Sequence, residues 1–563
     1  MKKLLLGDEA IAQGAIDAGL SGVYAYPGTP STEITEYIQG NALARERRLH
    51  SRWCTNEKTA MEAALGMSFM GKRALVCMKH VGLNVCADPF VNSGMTGVNG
   101  GLVVLVADDP SMHSSQDEQD SRFYGKFALI PTFEPSSQQE AYDMMATAFE
   151  YSEQQCLPVL MRVTTRMAHS RAVVHCADAP RLENELNYHA AAANWVLLPA
   201  NARRRNDKVT AQQAQLEEDA ANSKWNQLTF PYKVAGSGAF PLGIIASGIA
   251  YNYVQEALAQ RSPLPDGRGT GVGLLKVSQY PLPKRLVRQL LDVCERVIVV
   301  EEGQPFIEEQ VRGVFESQNI LGRLTGELPR TGELTPDCVA AALKALAPDC
   351  VNLVFTDNCA SALPSITGGV GGGSLVAPRP PQLCQGCGHR DVYTALNEVL
   401  KEFENPRVFG DIGCYTLGFL PPYRAIHSCV DMGASITMAK GAADAGQWPA
   451  VAIIGDSTFT HSGMTGLLDA VNENADITVI ISDNLTTAMT GGQDSAGTNK
   501  FEAICRGLGV SDEHLHVVVP LPKNMPEITR IIREEINYHG VSVIIPRREC
   551  IQTFKRHAKE KKN

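Results

Sequence analysis

The chain has 563 residues, a length that suggests roughly three or four domains, and its 44% hydrophobic and 20% charged residues are typical of a globular protein with large cores. A formal net charge of −10 is modest for this size and argues against nucleic acid or an anionic membrane as the main partner. No apolar run approaches the ~20 residues needed to cross a bilayer.

The first residues resemble the start of a signal peptide, but Asp8 and Glu9 end the apolar stretch too early for one. We therefore expect a cytoplasmic protein. In that reducing compartment the 15 cysteines are expected to be free thiols, metal ligands or redox residues rather than disulfides.

The first block of the chain, residues 1–180, alternates apolar runs with helical patterns, which predicts an α/β domain with a parallel sheet. Residues 26–33 (YPGTPSTE) follow the first apolar run and predict a rigid strand-to-helix turn. The two prolines in this turn are expected to fix Thr29 at the mouth of the sheet. Glu57 begins a helix of small residues, where it is either a helix-start carboxylate or a functional acid. The predicted strands are 22–26, 74–78, 101–107 and 158–162.

Three further segments complete the predicted organisation. Residues 181–235 are polar and form a long, partly helical connector, and a glycine-rich linker occupies 351–374. A second α/β block between them, 236–350, has predicted strands at 242–246, 271–275 and 297–300. With the third block, 375–563, the fold class is α/β, with three doubly wound domains and mostly parallel sheets.

The third block presents an oxygen ligand at the ends of two apolar strands. Gly455-Asp456-Ser457 ends one strand, and Asp483-Asn484 ends the next. Asp456, Asn484 and the backbone carbonyl of Thr486 supply the oxygen ligands that Mg²⁺ prefers beside a diphosphate, which Gly455 and Ser457 are placed to approach. The pattern resembles the thiamine diphosphate motif, from which Ser457 and Asp483 are departures.

Four cysteines form a second group in this block. Cys384 and Cys387 make a CxxC pair, Cys414 follows a predicted strand, and Cys550 lies near the end of the sequence. By spacing alone, a CxxC pair fits a zinc site, a redox pair or an iron–sulfur cluster.

Together these segments resemble the alpha subunit of indolepyruvate:ferredoxin oxidoreductase, among the thiamine diphosphate-dependent 2-oxoacid:acceptor oxidoreductases. The resemblance implies that 1–180 is a pyrimidine-binding domain, 236–350 a transketolase C-terminal-like domain and 375–563 a diphosphate-binding domain. It covers nearly the whole chain and rests on residues 26–33, 56–58, 78–85, 109–116, 300–306, 455–459 and 487–491.

The resemblance also implies roles for single residues. Glu57 matches the glutamate that hydrogen-bonds N1′ of the aminopyrimidine, which requires surroundings that favour the neutral acid. Thr29 matches a substrate-side hydroxyl. His80 and His113 either transfer protons or bind the substrate carboxylate, or they are ordinary histidines without a catalytic role. Weaker cofactor-binding or active-site candidates, which ordinary turns would also explain, are Asp431, Gly433, Gly491, Gly492 and Gln493.

By the same resemblance, Cys384, Cys387, Cys414 and Cys550 hold one [4Fe–4S] cluster near the thiazolium. A four-thiolate zinc site and four buried free cysteines remain open. Longer family members continue into a ferredoxin-like domain, whereas no cysteine follows Cys550 here. The next electron carrier, ferredoxin or another, is therefore expected on another polypeptide.

The function expected from the resemblance is that of a catalytic subunit of an indolepyruvate-type 2-oxoacid oxidoreductase in aromatic amino acid catabolism. It would convert an arylpyruvate and CoA to acyl-CoA and CO₂ with a smaller beta subunit in an α₂β₂ assembly. One alternative is a non-oxidative thiamine diphosphate-dependent decarboxylase or carboligase, which needs no iron. Another is a cofactor-binding scaffold whose activity belongs to its partner.

Overall fold

The computed structural model describes residues 1–187, 192–230, 240, 242–259, 272–313, 326, 382–488 and 495–560. The predicted linker 351–374 and the candidates Gly491, Gly492 and Gln493 lie outside these residues. None of the helices in the described ranges is both long and apolar enough to cross a membrane.

The strands in chain order are β1 (Lys2–Leu6), β2 (Gly22–Ala25), β3 (His50–Trp53), β4 (Ala74–Lys79), β5 (Leu102–Asp108), β6 (Thr132–Phe133), β7 (Val159–Thr164), β8 (Arg171–His175), β9 (Gln227–Thr229), β10 (Leu242–Ser247), β11 (Val272–Val277), β12 (Gln279–Tyr280), β13 (Val297–Val300), β14 (Arg407–Gly410), β15 (Ala450–Gly455), β16 (Ile477–Ser482), β17 (Leu515–Val518) and β18 (Val541–Pro546).

The α-helices span Gly7–Asp17, Thr32–Gly40, Ala42–Glu46, Glu57–Phe69, His80–Val85, Ala87–Thr96, Arg122–Phe127, Gln138–Gln155, Thr165–His169, Ala192–Trp195, Pro199–Asn222, Ala250–Ala259, Lys284–Leu291, Phe306–Arg312, Gly388–Leu400, Ala434–Asp444, Asp456–Thr458, Met464–Glu473, Phe501–Gly507, Met525–Ile536 and Ile551–Glu560. Shorter 3₁₀ segments are Cys414–Phe419, Asp512–His514 and Pro522–Asn524, and Phe459–Gly463 is a π-helical turn.

The first block forms a seven-stranded sheet in the order β12-β6-β7-β5-β4-β2-β3. Every neighbouring pair in it is parallel except β12 with β6. All residues of β4, β5 and β7 are buried, as expected for parallel strands that are covered by helices on both faces. A separate antiparallel pair, β1 with β8, completes the described strands of this block.

The second block is connected to the first through β12 and through the connector that precedes it. Its sheet has the order β13-β10-β11-β9, in which β9 alone is antiparallel to its neighbour. β9 lies in the predicted connector, most of which is the 24-residue helix Pro199–Asn222. β12 comes from the second block but extends the sheet of the first.

The third block is a five-stranded parallel sheet in the order β14-β15-β16-β18-β17. An aspartate directly follows each of three adjacent strands: Asp411 after β14, Asp456 after β15 and Asp483 after β16. Because the carboxyl ends of parallel strands meet at one edge, this edge is where a ligand of the domain is expected.

The predicted α/β class with mostly parallel sheets is confirmed. Each predicted strand is present, with bounds within two residues of those predicted.

The first and third domains pack directly on each other through two helices, Glu57–Phe69 and Ala434–Asp444. Glycines let the backbones approach closely: a Cβ on Gly441 would overlap the carbonyl of Ala63, and one on Gly66 would overlap that of Met438. One continuous apolar core therefore runs from the first sheet through both helices to the third sheet.

Replacing Gly441 with alanine should destabilise the protein by about 1–3 kcal/mol, because the added methyl group has to push two packed helices apart. Thermal unfolding of the purified chain measures this as a lowered Tm. Gly507→Ala is the matched control, since nothing lies within 4 Å of its Cβ position, and its Tm should stay within a degree or two of wild type. Equal Tm values for the two variants would contradict the close helix contact.

Candidate active site

Asp456 and Asn484 converge at the carboxyl edge of the third sheet. The backbone N–H of Thr486 donates to Asp456 Oδ2 at 3.1 Å and to Asn484 Oδ1 at 3.1 Å, so both side-chain oxygens point to one place. The Ser457 N–H donates to the other Asp456 oxygen, Oδ1, at 2.6 Å. Burial raises the pKa of Asp456 to about 6. Two of the three predicted Mg²⁺ ligands, the side chains of Asp456 and Asn484, thus lie together, and Thr486 contacts both through its N–H rather than its carbonyl.

The turn after β15 is shaped by an aromatic ring. Tyr415 lies against Gly455, where any Cβ would overlap the ring, and its hydroxyl donates to the Ile412 carbonyl at 2.8 Å. Ser457 Oγ lies 2.7 Å from Thr487 Oγ1, which links the turn after β15 to the one after β16. A π-helical turn, Phe459–Gly463, follows, and such turns are frequent at functional sites.

Asp411 is a site residue that sequence reasoning missed. Its fully buried carboxylate accepts from the backbone N–H of Ile412 at 2.9 Å, of Gly433 at 2.9 Å and of Ser435 at 3.0 Å. It therefore fixes the loop after β14 to the start of helix Ala434–Asp444. The signal was present in the sequence, because Asp411 follows an apolar strand in the same way as Asp456.

Asp431 and Gly433, predicted as weaker cofactor-binding candidates, have clear structural partners. Lys58 of the first domain binds Asp431 Oδ2 at 2.6 Å and the Met432 carbonyl at 3.0 Å, and it also pairs with Glu62. Gly433 has φ +101°, and a Cβ there would overlap Ser462. Burial and then Glu62 raise the pKa of Asp431 well above its ordinary value, against the opposing charge of Lys58.

Glu57 stands at the start of helix Glu57–Phe69, beside Lys58. Asn56 caps this helix, its side chain accepting from the Thr59 N–H at 2.9 Å. The Glu57 carboxyl packs against Gly82, whose Cβ position lies 2.6 Å from Glu57 Cγ and 2.7 Å from Oε1. Burial raises the pKa of Glu57, and no other residue of the described chain donates a hydrogen bond to it. The carboxyl is thus held half-buried and free to bond a ligand.

The loops that carry Thr29 and His80 lie together at the edge of the first sheet. Lys79, just before His80, donates to the Ser114 carbonyl at 2.6 Å, and Ser114 Oγ donates to the Thr29 carbonyl at 3.2 Å. Thr29 and His113 are exposed. His80 is buried, with Nε2 3.4 Å from Asp117 and Nδ1 without a hydrogen-bond partner among the described residues.

The four predicted cluster ligands line one cavity of about 150 Å³. Asn484 lines the same cavity, and its backbone carbonyl accepts from the Cys550 N–H at 3.0 Å. Burial raises the pKa of Cys387 and raises that of Cys414 to about 11. One residue, Asn484, therefore joins the proposed magnesium position to the cysteine cavity.

The spacing of the thiols bears on the choice of metal. A tetrahedral zinc site with Zn–S bonds of about 2.3 Å brings its sulfurs to roughly 3.8 Å from each other. Within the described residues, no three cysteine sulfurs lie within 4.8 Å of one another. The described thiols are therefore not already gathered at zinc-site spacing.

Comparison with known proteins agrees with this geometry. Residues 13–227 match the family model "Pyruvate flavodoxin/ferredoxin oxidoreductase, thiamine diP-bdg", and residues 411–545 match "Thiamine pyrophosphate enzyme, C-terminal TPP binding domain". Indolepyruvate oxidoreductase subunit IorA of Archaeoglobus fulgidus is 37% identical over 98% of this chain and 86% of its own length. The corresponding subunit of Methanothermobacter thermautotrophicus is 37% identical over 98% of this chain and 87% of its own.

The chain belongs to the IorA family of indolepyruvate oxidoreductase subunits. It is thus a catalytic subunit of a thiamine diphosphate-dependent 2-oxoacid oxidoreductase, and the predicted family and enzyme class are confirmed. This membership favours the oxidoreductase over the non-oxidative decarboxylase or carboligase. A solved structure of the 2-oxoglutarate:ferredoxin oxidoreductase from Magnetococcus marinus aligns over 55% of this chain and 60% of the solved chain, with 16% identity and a TM-score of 0.45. This similarity is too distant to support a conclusion.

In this IorA-family chain, Lys58→Met should lower the free energy of unfolding by about 3–5 kcal/mol at neutral pH, because buried Asp431 and Glu62 lose their shared cation. Without the cation the folded-state pKa of Asp431 rises further above its ordinary value. The penalty is therefore relieved as Asp431 takes up a proton, and the Tm deficit should shrink as the pH falls from about 8 to about 5.

Lys284→Met is the matched control for this pair. Lys284 binds Glu217 at 2.6 Å at the surface, where an ion pair contributes about 0–1 kcal/mol. A Tm deficit of Lys58→Met that equals the control, or that grows as the pH falls, would show that Lys58 does not neutralise these carboxylates.

Proposed function

We propose that the chain is the subunit that catalyses CoA-dependent oxidative decarboxylation of arylpyruvates, of the indolepyruvate type, to acyl-CoA and CO₂. Electrons pass through a [4Fe–4S] cluster to ferredoxin or another carrier. The observation that supports this most directly is Asn484, which faces Asp456 with its side chain and holds the Cys550 backbone with its carbonyl.

The residues present fit thiamine diphosphate with Mg²⁺. Asp456 and Asn484 offer convergent oxygens beside the Thr486 backbone, in the donor set that Mg²⁺ prefers. Glu57 offers a carboxyl with raised pKa and no competing donor in the described chain, as the family's acid at the aminopyrimidine requires. The two regions belong to domains that pack on each other within one chain.

When bound, thiamine diphosphate supplies the electron sink that decarboxylation of a 2-oxoacid needs. The protein's part is to place and hold groups around it. Burial raises the pKa of Glu57, which favours the protonated carboxyl that the cofactor needs, and Gly82 leaves the space for that carboxyl. Thr29, whose carbonyl accepts from Ser114 on an exposed loop, would be the substrate-side hydroxyl, and the buried His80 follows Lys79, which donates to the same Ser114.

The cysteine cavity supports electron transfer out of the site. Its four thiols are not already gathered at zinc-site spacing and suit an iron–sulfur cluster with four thiolate ligands. Because the Cys550 N–H donates to the Asn484 carbonyl, Asn484 would serve both the Mg²⁺ site and the segment that carries a cluster ligand. The substrate and the smaller beta subunit are inferred from the names of the relatives, which are subunits of indolepyruvate oxidoreductases.

Anaerobic co-purification with the polypeptides encoded next to the gene, followed by iron analysis and a 2-oxoacid panel with an artificial acceptor, tests the proposal. We expect about four irons per chain and fastest CoA-dependent reduction with arylpyruvates. Cys387→Ser and Cys550→Ser should lose iron and acceptor reduction, whereas Cys156→Ser, at an exposed cysteine of the first domain, should keep both. Iron-free protein that releases an aldehyde would overturn the proposal in favour of the non-oxidative decarboxylase.

Glu57→Gln should slow C2–H exchange of the bound cofactor by about 10²-fold or more, because the amide cannot hold the proton that the carboxyl holds. Gly82→Ala should act in the same direction, since its methyl group displaces the Glu57 carboxyl. Gly40→Ala, with nothing within 4 Å of its Cβ position, is the control for the glycine change. Wild-type exchange in Glu57→Gln, at full cofactor occupancy, would remove Glu57 from the mechanism.

A further inference from the structure

A second group of potential ligands lies in the first domain, outside the site described above. Asp8, Glu33 and His169 each present a ligand atom, and these atoms all lie within 4.8 Å of one another. Glu33 Oε1 is 3.5 Å from His169 Nε2. The three residues come from three separate helices, Gly7–Asp17, Thr32–Gly40 and Thr165–His169.

Close backbone packing brings two of these helices together. The Gly7 N–H donates to the Ser170 carbonyl at 3.1 Å, and a Cβ on Gly7 would overlap the carbonyl of Met167. Only glycine at position 7 therefore allows the first helix to start against the end of helix Thr165–His169. As a result Asp8 comes next to His169.

Asp8 has unusual surroundings for a carboxylate. Its side chain is 0% exposed, and neither carboxyl oxygen has a hydrogen-bond partner in the described structure. The charged neighbours that act on it, Glu33 and Glu9, are both acidic, and with burial they raise the pKa of Asp8 well above its ordinary value. One oxygen of Glu33, Oε2, is likewise buried without a partner among the described residues.

A buried carboxyl without donors is costly unless it is neutralised by a proton or by a cation. A proton on Asp8 would supply a single donor, so at least one of the three buried oxygens, both of Asp8 and Oε2 of Glu33, would still lack a partner. A bound cation would satisfy both acids at once, with the imidazole as a third ligand. Glu33 and His169 have side chains 34% exposed, so solvent reaches two of the three ligands.

We propose that Asp8, Glu33 and His169 form a binding site for a divalent cation with two carboxylate ligands and one imidazole ligand. This donor set suits Mn²⁺ and similar first-row ions, and it is distinct from the oxygen ligands of the third domain. The site holds the first turn of helix Thr32–Gly40, which directly follows the Thr29 loop. That loop is closed by the Gly28 N–H, which donates to Thr32 Oγ1 at 2.9 Å, so the cation would brace it from behind.

Manganese titration followed by electron paramagnetic resonance tests the site, because bound Mn²⁺ loses the six-line signal of the free ion. The titration uses chelator-treated full-length Asp456→Ala protein without thiamine diphosphate, which removes the third-domain site. Mn²⁺ also avoids the thiols, since hard cations disfavour thiolate ligands. We expect about one bound Mn²⁺ per chain and a higher Tm in its presence.

In this background, Glu33→Gln and His169→Gln should each weaken Mn²⁺ binding about tenfold or more. Glu36→Gln, an exposed glutamate on the same helix, and His175→Gln, an exposed histidine, should not change it. Asp8→Asn should abolish both binding and the Mn²⁺-dependent rise in Tm.

Equal Mn²⁺ affinity in Glu33→Gln, His169→Gln and their controls would overturn the proposal. So would an Asp8→Asn protein with a higher Tm than its parent and no Mn²⁺ binding in either, since Asp8 would then simply carry a proton. Neither result touches the proposed function, which rests on residues of the third domain and on Glu57.

Discussion

The contact between helices Glu57–Phe69 and Ala434–Asp444 is the constraint on which the rest of the structure depends. Gly66 and Gly441 allow the two backbones to touch, and Lys58 joins the two domains by binding Asp431 across the boundary. Since Glu57 precedes Lys58 directly, the residue that fastens the domains also fixes the position of the acid. The same contact orders the loop after Asp431, which Asp411 holds from the other side through Gly433 and Ser435.

The strands and the fold class could be predicted because buried parallel strands have continuous apolar sequences that end at turn residues. The convergence of Asp456 with Asn484 also followed from the sequence, since adjacent parallel strands present their ends at one edge. The domain contact could not be predicted. Gly66 and Gly441 have no special local signal, and their role appears only when two helices distant in the chain are packed together.

The contacts of single residues also depend on segments that are distant in the chain, which sequence patterns do not predict. Asp431 carries the pattern of a phosphate-binding turn, but its partner is a lysine 373 positions earlier in the chain. Asp8 interrupts the apolar start of the sequence, and its full burial appears only in the folded structure, where the neighbouring Gly7 packs against Met167. The cysteine quartet lies between these cases: family resemblance grouped the four residues, and the structure supplies their common cavity and the link through Asn484.

Asn484 links the two parts of the proposed active site. Its side chain lies at the edge where we propose that Mg²⁺ binds, and its backbone carbonyl accepts from the N–H of Cys550. Arg547, on the segment before Cys550, pairs with Asp483 at 2.6 Å. Asp483 and Asn484, the two residues that follow β16, are therefore both bound to this segment. The proposed cofactor position and the cysteine cavity are thereby connected through a few hydrogen bonds.

The most direct test of the central claim is an experimental structure of the assembled enzyme with thiamine diphosphate and Mg²⁺ bound. We expect one cofactor that contacts Asp456 and Asn484 at its diphosphate and Glu57 of the same chain at its aminopyrimidine. A cofactor whose aminopyrimidine is bound by a glutamate of another chain, or by none, would contradict it.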